Sequence, residues 1–188
     1  MFLRHPSNPL ISPRDVKPSR PDFEIIGTFN TGVTTFNGQT LLLMRVAERP
    51  INHANGVILC PRLDENGELA ITTVRRDDPD YDTHDPRKIE HRESGDLLLT
   101  SISHFRLARS VDGVHFSVDD HPWMQGAPPY ESYGIEDPRI AQIGDRYYVN
   151  YTAVSRTGIA TALVSTSDFV SIERHGLIFA PSNRDVTL

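Results

Sequence analysis

DPRKIEHRESGDLLLTSIS (Asp85–Ser103) and DPRIAQIGDRYYVNYTAV (Asp137–Val154) start on the same tripeptide, 52 positions apart. Each carries a Gly-Asp pair, Gly95-Asp96 and Gly144-Asp145, ahead of an apolar run. Each also continues into a second related piece, LARSVDGVHFSV (107–118) and LVSTSDFVSIER (163–174). A fainter copy, FNTGVTTFNGQTLLLMRV (29–46), places Gly38 106 positions before Gly144, about two repeat lengths. A unit of about 50 residues therefore recurs three times, and it reads strand, tight turn, strand, loop, strand, turn, strand. Four short antiparallel strands repeated at roughly 40–50 residues are the pattern of a β-propeller blade. A β-sandwich has no reason to repeat a motif at that spacing.

Outside these copies the chain keeps the same character. TLLLMRV (40–46), GVILC (56–60), LAITTV (69–74), DLLLTSIS (96–103), YYVNYTAV (147–154) and ATALVSTS (160–167) are short β-rich runs bounded by Gly, Asp, Asn or Pro. FNGQ (36–39) and ENGE (65–68) hold Asn-Gly, the pair that most readily supplies the two positive φ angles of a tight hairpin. Helical periodicity is missing, so the expected class is all-β with at most a few helical residues. The proline-rich residues 1–20 are expected to form an extended arm, and 21–188 the propeller domain. Three starts in 188 residues amount to about three blades, whereas a closed ring needs at least four. SNRDVTL (182–188) reads as the entry to a further blade, so either the chain is a fragment or the remaining blades come from elsewhere.

Charge and composition narrow the function. With 25 acidic and 19 basic residues the net charge is −6, which argues against a nucleic-acid partner. No apolar run approaches the roughly 18–20 residues that span a bilayer, and the first residues lack a signal-peptide core, so no membrane partner and a cytoplasmic location are expected. The single cysteine, Cys60, permits no internal disulfide and closes an apolar run, as a core residue in a reducing compartment would. The eight histidines show neither a His-x-x-x-His pair nor a clustered cysteine partner, so no metal is expected. RRDDPDYDTHDP (75–86) lacks the glycine and terminal glutamate of a calcium loop and reads as a solvated connection.

In a propeller the innermost strands run along a central channel, and the loops leading into them converge at one mouth. Aligning the repeats puts Asn30-Thr31, Asp85 and Glu136-Asp137 at equivalent blade starts. A ring of such groups is suited to a small polyhydroxylated ligand, which makes Asp85 and Glu136 candidate substrate-binding residues. Asp before Pro also shapes turns, and that reading accounts for the repetition equally well. It accounts less well for YGIEDPRI (133–140), where one carboxylate would serve a turn and two are present. Trp123 and Tyr130, on the long loop leading into this motif, suit either stacking on a sugar or plain loop packing.

FNTGVTTFNGQTLLLMRVAERP (29–50), YGIEDPRI, YTAVSRTGIATALVSTSDFVSIERHG (151–176) and NRDV (183–186), in this order, resemble glycoside hydrolase family 130. The resemblance runs from about Asn8 to Leu188, roughly the first three-fifths of a family member. It implies a five-bladed propeller acting on β-mannosides, most members being inverting phosphorylases and some hydrolases. On that pattern Asp137 matches the general acid, its proton reaching the leaving oxygen through the mannosyl 3-hydroxyl. Asn30 and Arg45 match residues lining the subsite for the non-reducing mannose, and Arg184 matches a basic position that holds phosphate. The other phosphate ligands, a lysine and a His-Arg pair, would lie beyond Leu188.

The implied activity is phosphorolysis of a β-1,2- or β-1,4-linked manno-oligosaccharide to α-mannose 1-phosphate, with inorganic phosphate as co-substrate and no cofactor. Inversion needs an acid on one face of the sugar and a nucleophile on the other. Phosphate is already a nucleophilic anion, so a phosphorylase needs one acid and cations to place it, and arginine's planar fork suits that task. A hydrolase of the same fold, or a non-catalytic carbohydrate-binding piece, are the alternatives. Glu136 would favour protonation of Asp137 if the two carboxylates sit close, and Arg139 would oppose it. Strand alternation points Glu136 elsewhere. A homo-oligomer is left open, the arm being of a kind that reaches a neighbouring subunit.

Overall fold

In the computed structural model, which describes residues 3–183 and 186, the chain is all-β. Its strands are β1 (Phe23–Phe36), β2 (Gln39–Pro50), β3 (Val57–Leu63), β4 (Leu69–Arg75), β5 (Tyr81–Asp82), β6 (Lys88–His91), β7 (Leu97–Leu99), β8 (Ile102–Ser110), β9 (Ser117–Val118), β10 (Ile135–Ile143), β11 (Arg146–Ser155), β12 (Gly158–Thr166) and β13 (Glu173–Phe179). Two four-stranded antiparallel sheets dominate, ordered β1-β2-β8-β9 and β10-β11-β12-β13. Between β2 and β8 the chain makes a β3-β4 hairpin and a small β5-β6-β7 sheet.

The repeat is partitioned differently from the sequence expectation. The copy that starts at Asp85 builds no four-stranded sheet of its own. DLLLTSIS breaks at Thr100-Ser101: β7 pairs with β6, while β8 leaves to complete the sheet begun by β1 and β2. The two Asn-Gly pairs also diverge. Asn37 and Gly38 both have positive φ (49° and 75°) and close the β1-β2 hairpin between the paired Phe36 and Gln39. At Asn66-Gly67 the Asp64 side chain instead accepts the amides of Asn66 and Glu68, which holds a longer loop.

Strand alternation gives the first sheet two different faces. On one face Leu41, Leu43, Phe105 and Leu107 pack against Ile135, Tyr147, Val149, Tyr151 and Val164 of the second sheet and Phe169 of its β12-β13 loop, making the main core. Leu43 is fully buried there, and truncation to alanine at such a site costs about 2–5 kcal/mol. The row Leu41, Leu43 continues along β2 to Arg45, so the core and the candidate site share one strand face.

The opposite face of the first sheet receives the N-terminal arm. Pro13–Asp15 form a single 3-10 turn, and Val16 packs against Met44, Val46 and Ala108. Buried Arg106 donates to the Lys17 carbonyl (2.6 Å), and buried Glu48 accepts the Ser19 amide (2.9 Å) and lies 3.4 Å from His104 Nδ1. Burial holds the His104 imidazole below its usual pKa, which keeps this polar patch from gaining a further charge. Cys60 is buried with Ile58, Val74 and Ile89 in the small β3–β7 region, and burial pushes its thiol up to about 11.

Candidate active site

β1 and β10, the first strands of the two large sheets, lie against each other. Each breaks its ladder at the corresponding place. Phe29 pairs with Arg45 and Gly32 with Leu43, leaving Asn30-Thr31 opposite a single residue. Glu136 pairs with Thr152 and Arg139 with Asn150, leaving Asp137-Pro138 opposite a single residue. The extra residue in each strand is a β-bulge, a device that re-aims side chains. Asn30 and Asp137 both adopt left-handed φ angles (48° and 54°), which Asn and Asp tolerate better than other non-glycine residues. Pro138 cannot donate to a ladder, and a bulge is one of the few places a strand accepts it. Gly32 permits the approach: a Cβ there would lie 2.9 Å from the Pro138 carbonyl oxygen.

The two bulges bring their side chains together. Asn30 Nδ2 donates to Asp137 Oδ1 at 2.8 Å. Arg45 reaches across from β2, donating from Nη1 to Asp137 Oδ1 (3.0 Å) and from Nη2 to Glu136 Oε1 (2.5 Å). All three charged side chains are about four-fifths buried, at 17% exposure for Arg45, 22% for Glu136 and 20% for Asp137.

Depressions flank the cluster on both sides. A cleft of about 630 Å³ is lined by Asn30, Thr31, Gly32, Asp137, Pro138 and Arg139. A groove of about 450 Å³ is lined by Glu136 together with Asp85, Tyr133 and Arg156. Asp85 thus shares a groove with Glu136 but does not join the Asp137 cluster. Its carboxylate is engaged by the Arg87 guanidinium (2.9 and 3.0 Å) and by the Arg87 amide, contacts that hold it at about 2. That is the turn-shaping role of an Asp before Pro. Arg184 lies outside the described residues. Among the described residues no group of three or more His, Cys, Asp or Glu side chains is placed to hold a metal.

Several supporting residues escaped the sequence reading. Glu131, buried on the loop before the motif, accepts from Ala127 N (2.7 Å), Tyr151 Oη (2.5 Å) and Arg174 Nη1 (2.8 Å). Burial and the neighbouring carboxylate push the Tyr151 phenol far above its usual range, so it stays a donor. These contacts fix the loop that delivers Glu136 and Asp137. Trp123 donates its indole N–H to the Phe169 carbonyl (2.9 Å) and packs on the core, as loop packing requires. The guanidinium that meets Asp137 comes from Arg45 rather than the adjacent Arg139, a pairing across strands that no local spacing signals.

A family model for glycoside hydrolase family 130, described as beta-1,4-mannooligosaccharide phosphorylase, matches residues 89–187. The chain belongs to that family. A beta-1,2-mannobiose phosphorylase of Listeria innocua is 48% identical over 190 residues, covering 100% of this chain and 54% of the relative. The family 130 chain therefore spans about half the length of this curated relative. The structure of a beta-1,2-mannobiose phosphorylase from Listeria innocua in complex with beta-1,2-mannobiose superposes with a TM-score of 0.91 at 48% identity, covering 97% of this chain and 52% of that one. A glycosyl hydrolase from Bacteroides ovatus, 21% identical with a TM-score of 0.58 over 95% of this chain and 41% of that one, shares the fold.

Proposed function

We propose that the complete protein is an inverting phosphorylase that cleaves a β-1,2-linked manno-oligosaccharide with inorganic phosphate, giving α-mannose 1-phosphate and a shortened sugar. The observation that carries this reading is the 48% identity to the Listeria beta-1,2-mannobiose phosphorylase along the whole chain, with Asp137 held in a built cluster. Residues 21–188 contribute to a five-bladed propeller, supplying two four-stranded sheets and the smaller sheets formed between β2 and β8, where the sequence repeat counts three blades. The buried, unpaired Cys60 supports action in a reducing cytoplasm.

Asp137 donates the proton that the glycosidic oxygen gains as the C1–O bond breaks, by way of the mannosyl 3-hydroxyl on the family pattern. A phosphate oxygen forms the new bond to C1 from the opposite face. Asn30 and Arg45 orient the Asp137 carboxyl and line the sugar subsite, and Arg184 contributes to phosphate binding. Glu136 and Asp137 are bound by the two terminal nitrogens of one guanidinium and so stand on the same side of the site. An inverting hydrolase needs its second carboxylate across the sugar ring, with about 6.5–9.5 Å between the pair to admit water. Glu136, which shares a guanidinium with Asp137, is therefore read as a positioning group rather than as a water-activating base.

The test is incubation of the complete protein with β-1,2-mannobiose, with and without phosphate, assaying mannose 1-phosphate and free mannose. Phosphate-dependent mannose 1-phosphate is expected. Turnover that releases only mannose in the absence of phosphate overturns the reading, and preference for β-1,4-mannobiose would overturn the linkage.

A further inference from the structure

Arg45 donates to both motif carboxylates, so what fixes its guanidinium also helps to fix theirs. Two side chains do this from positions the family reading leaves unassigned. Phe29 is the cross-strand partner of Arg45 in the β1-β2 ladder, and the Arg45 Cζ lies 4.5 Å from the centre of its ring. Ser103 on β8, almost fully buried, accepts from Arg45 Nε at 3.2 Å. The guanidinium thus has one face on an aromatic ring and its remaining edge on a hydroxyl, while both terminal nitrogens point to the carboxylates.

The ring itself is held by an absence. Gly27 is two residues before Phe29, on the same face of β1, and a Cβ at Gly27 would lie 2.2 Å from Phe29 Cε1. The Phe29 ring therefore lies flat along its own strand over Gly27, beneath Arg45. Phe29 is 40% exposed, more than an aromatic kept for core packing would be. Ser103 is tied in turn to the loop that delivers the motif: it bridges Gly134, where a Cβ would lie 2.4 Å from the Ser103 carbonyl oxygen.

We infer that Phe29 and Ser103 are positioning residues for the reaction, and that Gly27 is kept small so that the Phe29 ring can support Arg45 from below. They act through Arg45 and touch neither the acid nor the reacting bond. A cation over an aromatic face is held by the ring quadrupole, and the planar ring also restricts rotation of the guanidinium. The inference rests on the reading of Asp137 as proton donor.

The test compares Phe29→Leu, Phe29→Tyr, Gly27→Ala and Ser103→Ala in the complete protein, with kcat and KM measured separately and folded fraction checked by thermal denaturation. Phe29→Leu is expected to lower kcat about 5–20-fold with KM within about twofold, and Phe29→Tyr to restore it. Gly27→Ala, which clashes only with a ring that can swing aside, is expected to fold normally and still lose kcat to a similar degree. Ser103→Ala should lose a smaller factor. Phe29→Leu and Gly27→Ala each within twofold of the parent kcat would overturn the inference. So would a loss confined to KM, which would mean that the ring touches the sugar directly. If Phe29→Leu does not fold, Gly27→Ala against Phe29→Tyr decides by the same criteria. Asp137→Asn run alongside separates the two ideas: full turnover there defeats the acid assignment itself, whereas its loss beside unaffected Phe29 and Gly27 variants defeats only the support.

Discussion

The bulges of β1 and β10 make the same backbone shape and carry different chemistry. Both insert one residue at the same level of a first strand, and both turn that residue left-handed. One residue is an amide and the other an acid, and they meet at 2.8 Å. The repeated architecture therefore supplies a place for a polar group, and on the proposed function a single atom decides which copy handles the proton. The amide side chain can only position; the acid can also give up a hydrogen.

Removing the one difference should have the largest effect. Asp137→Asn makes the two bulges alike, and mannose 1-phosphate formation is expected to fall about 10²–10⁴-fold with an unchanged thermal midpoint. Replacing the shared guanidinium, Arg45→Met, removes the cation that Glu136 and Asp137 have in common. Turnover should then drop about 10²–10³-fold, the scale of losing one preorganised charged donor. Exchanging the two groups, Asn30→Asp with Asp137→Asn, preserves the pair but moves the acid to β1. Activity no better than about threefold above Asp137→Asn alone is expected, because the acid then projects from the other strand; recovery to the parent rate would mean that only the pair matters. The smallest effect concerns the contact between the strands. Gly32→Ala places a methyl 2.9 Å from both the Pro138 carbonyl oxygen and Ile140 Cγ1, and should cost about 1–3 kcal/mol, read as a lowered denaturation midpoint.

Much of this pair could be read from sequence, because it rests on local signals. Asp-Pro inside an apolar strand and Asn at the matching repeat position both mark a break, and Asn37-Gly38 correctly announced its hairpin. What could not be read was non-local. Alternation sends Glu136 away from Asp137, and only the inserted residue, invisible as a pattern, lets both reach Arg45. Arg139 looked like the natural neighbour because it is two residues away, yet the guanidinium comes from a strand 92 residues earlier. The split of DLLLTSIS was hidden for the same reason. β-Strands choose partners by packing and register, and a continuous apolar run carries no mark of which sheet each half will join.

That split gives the two large sheets different histories as the chain is made. β10 to β13 follow one another, so each can pair with a neighbour that has only just emerged. β2 must wait for β8, and Arg45 and Ser103 are 58 residues apart. During that interval β2 shows an open hydrogen-bonding edge, the feature that invites pairing with foreign strands, while β3–β7 fold as separate small sheets beside it. Chains halted after Leu99 should therefore be cut by protease within β1-β2, and chains halted after Val118 protected there; equal digestion of the two would show that the first hairpin does not depend on its late partner. The arginine that anchors the carboxylates thus lies in a strand whose edge is covered only after more than fifty further residues have been made.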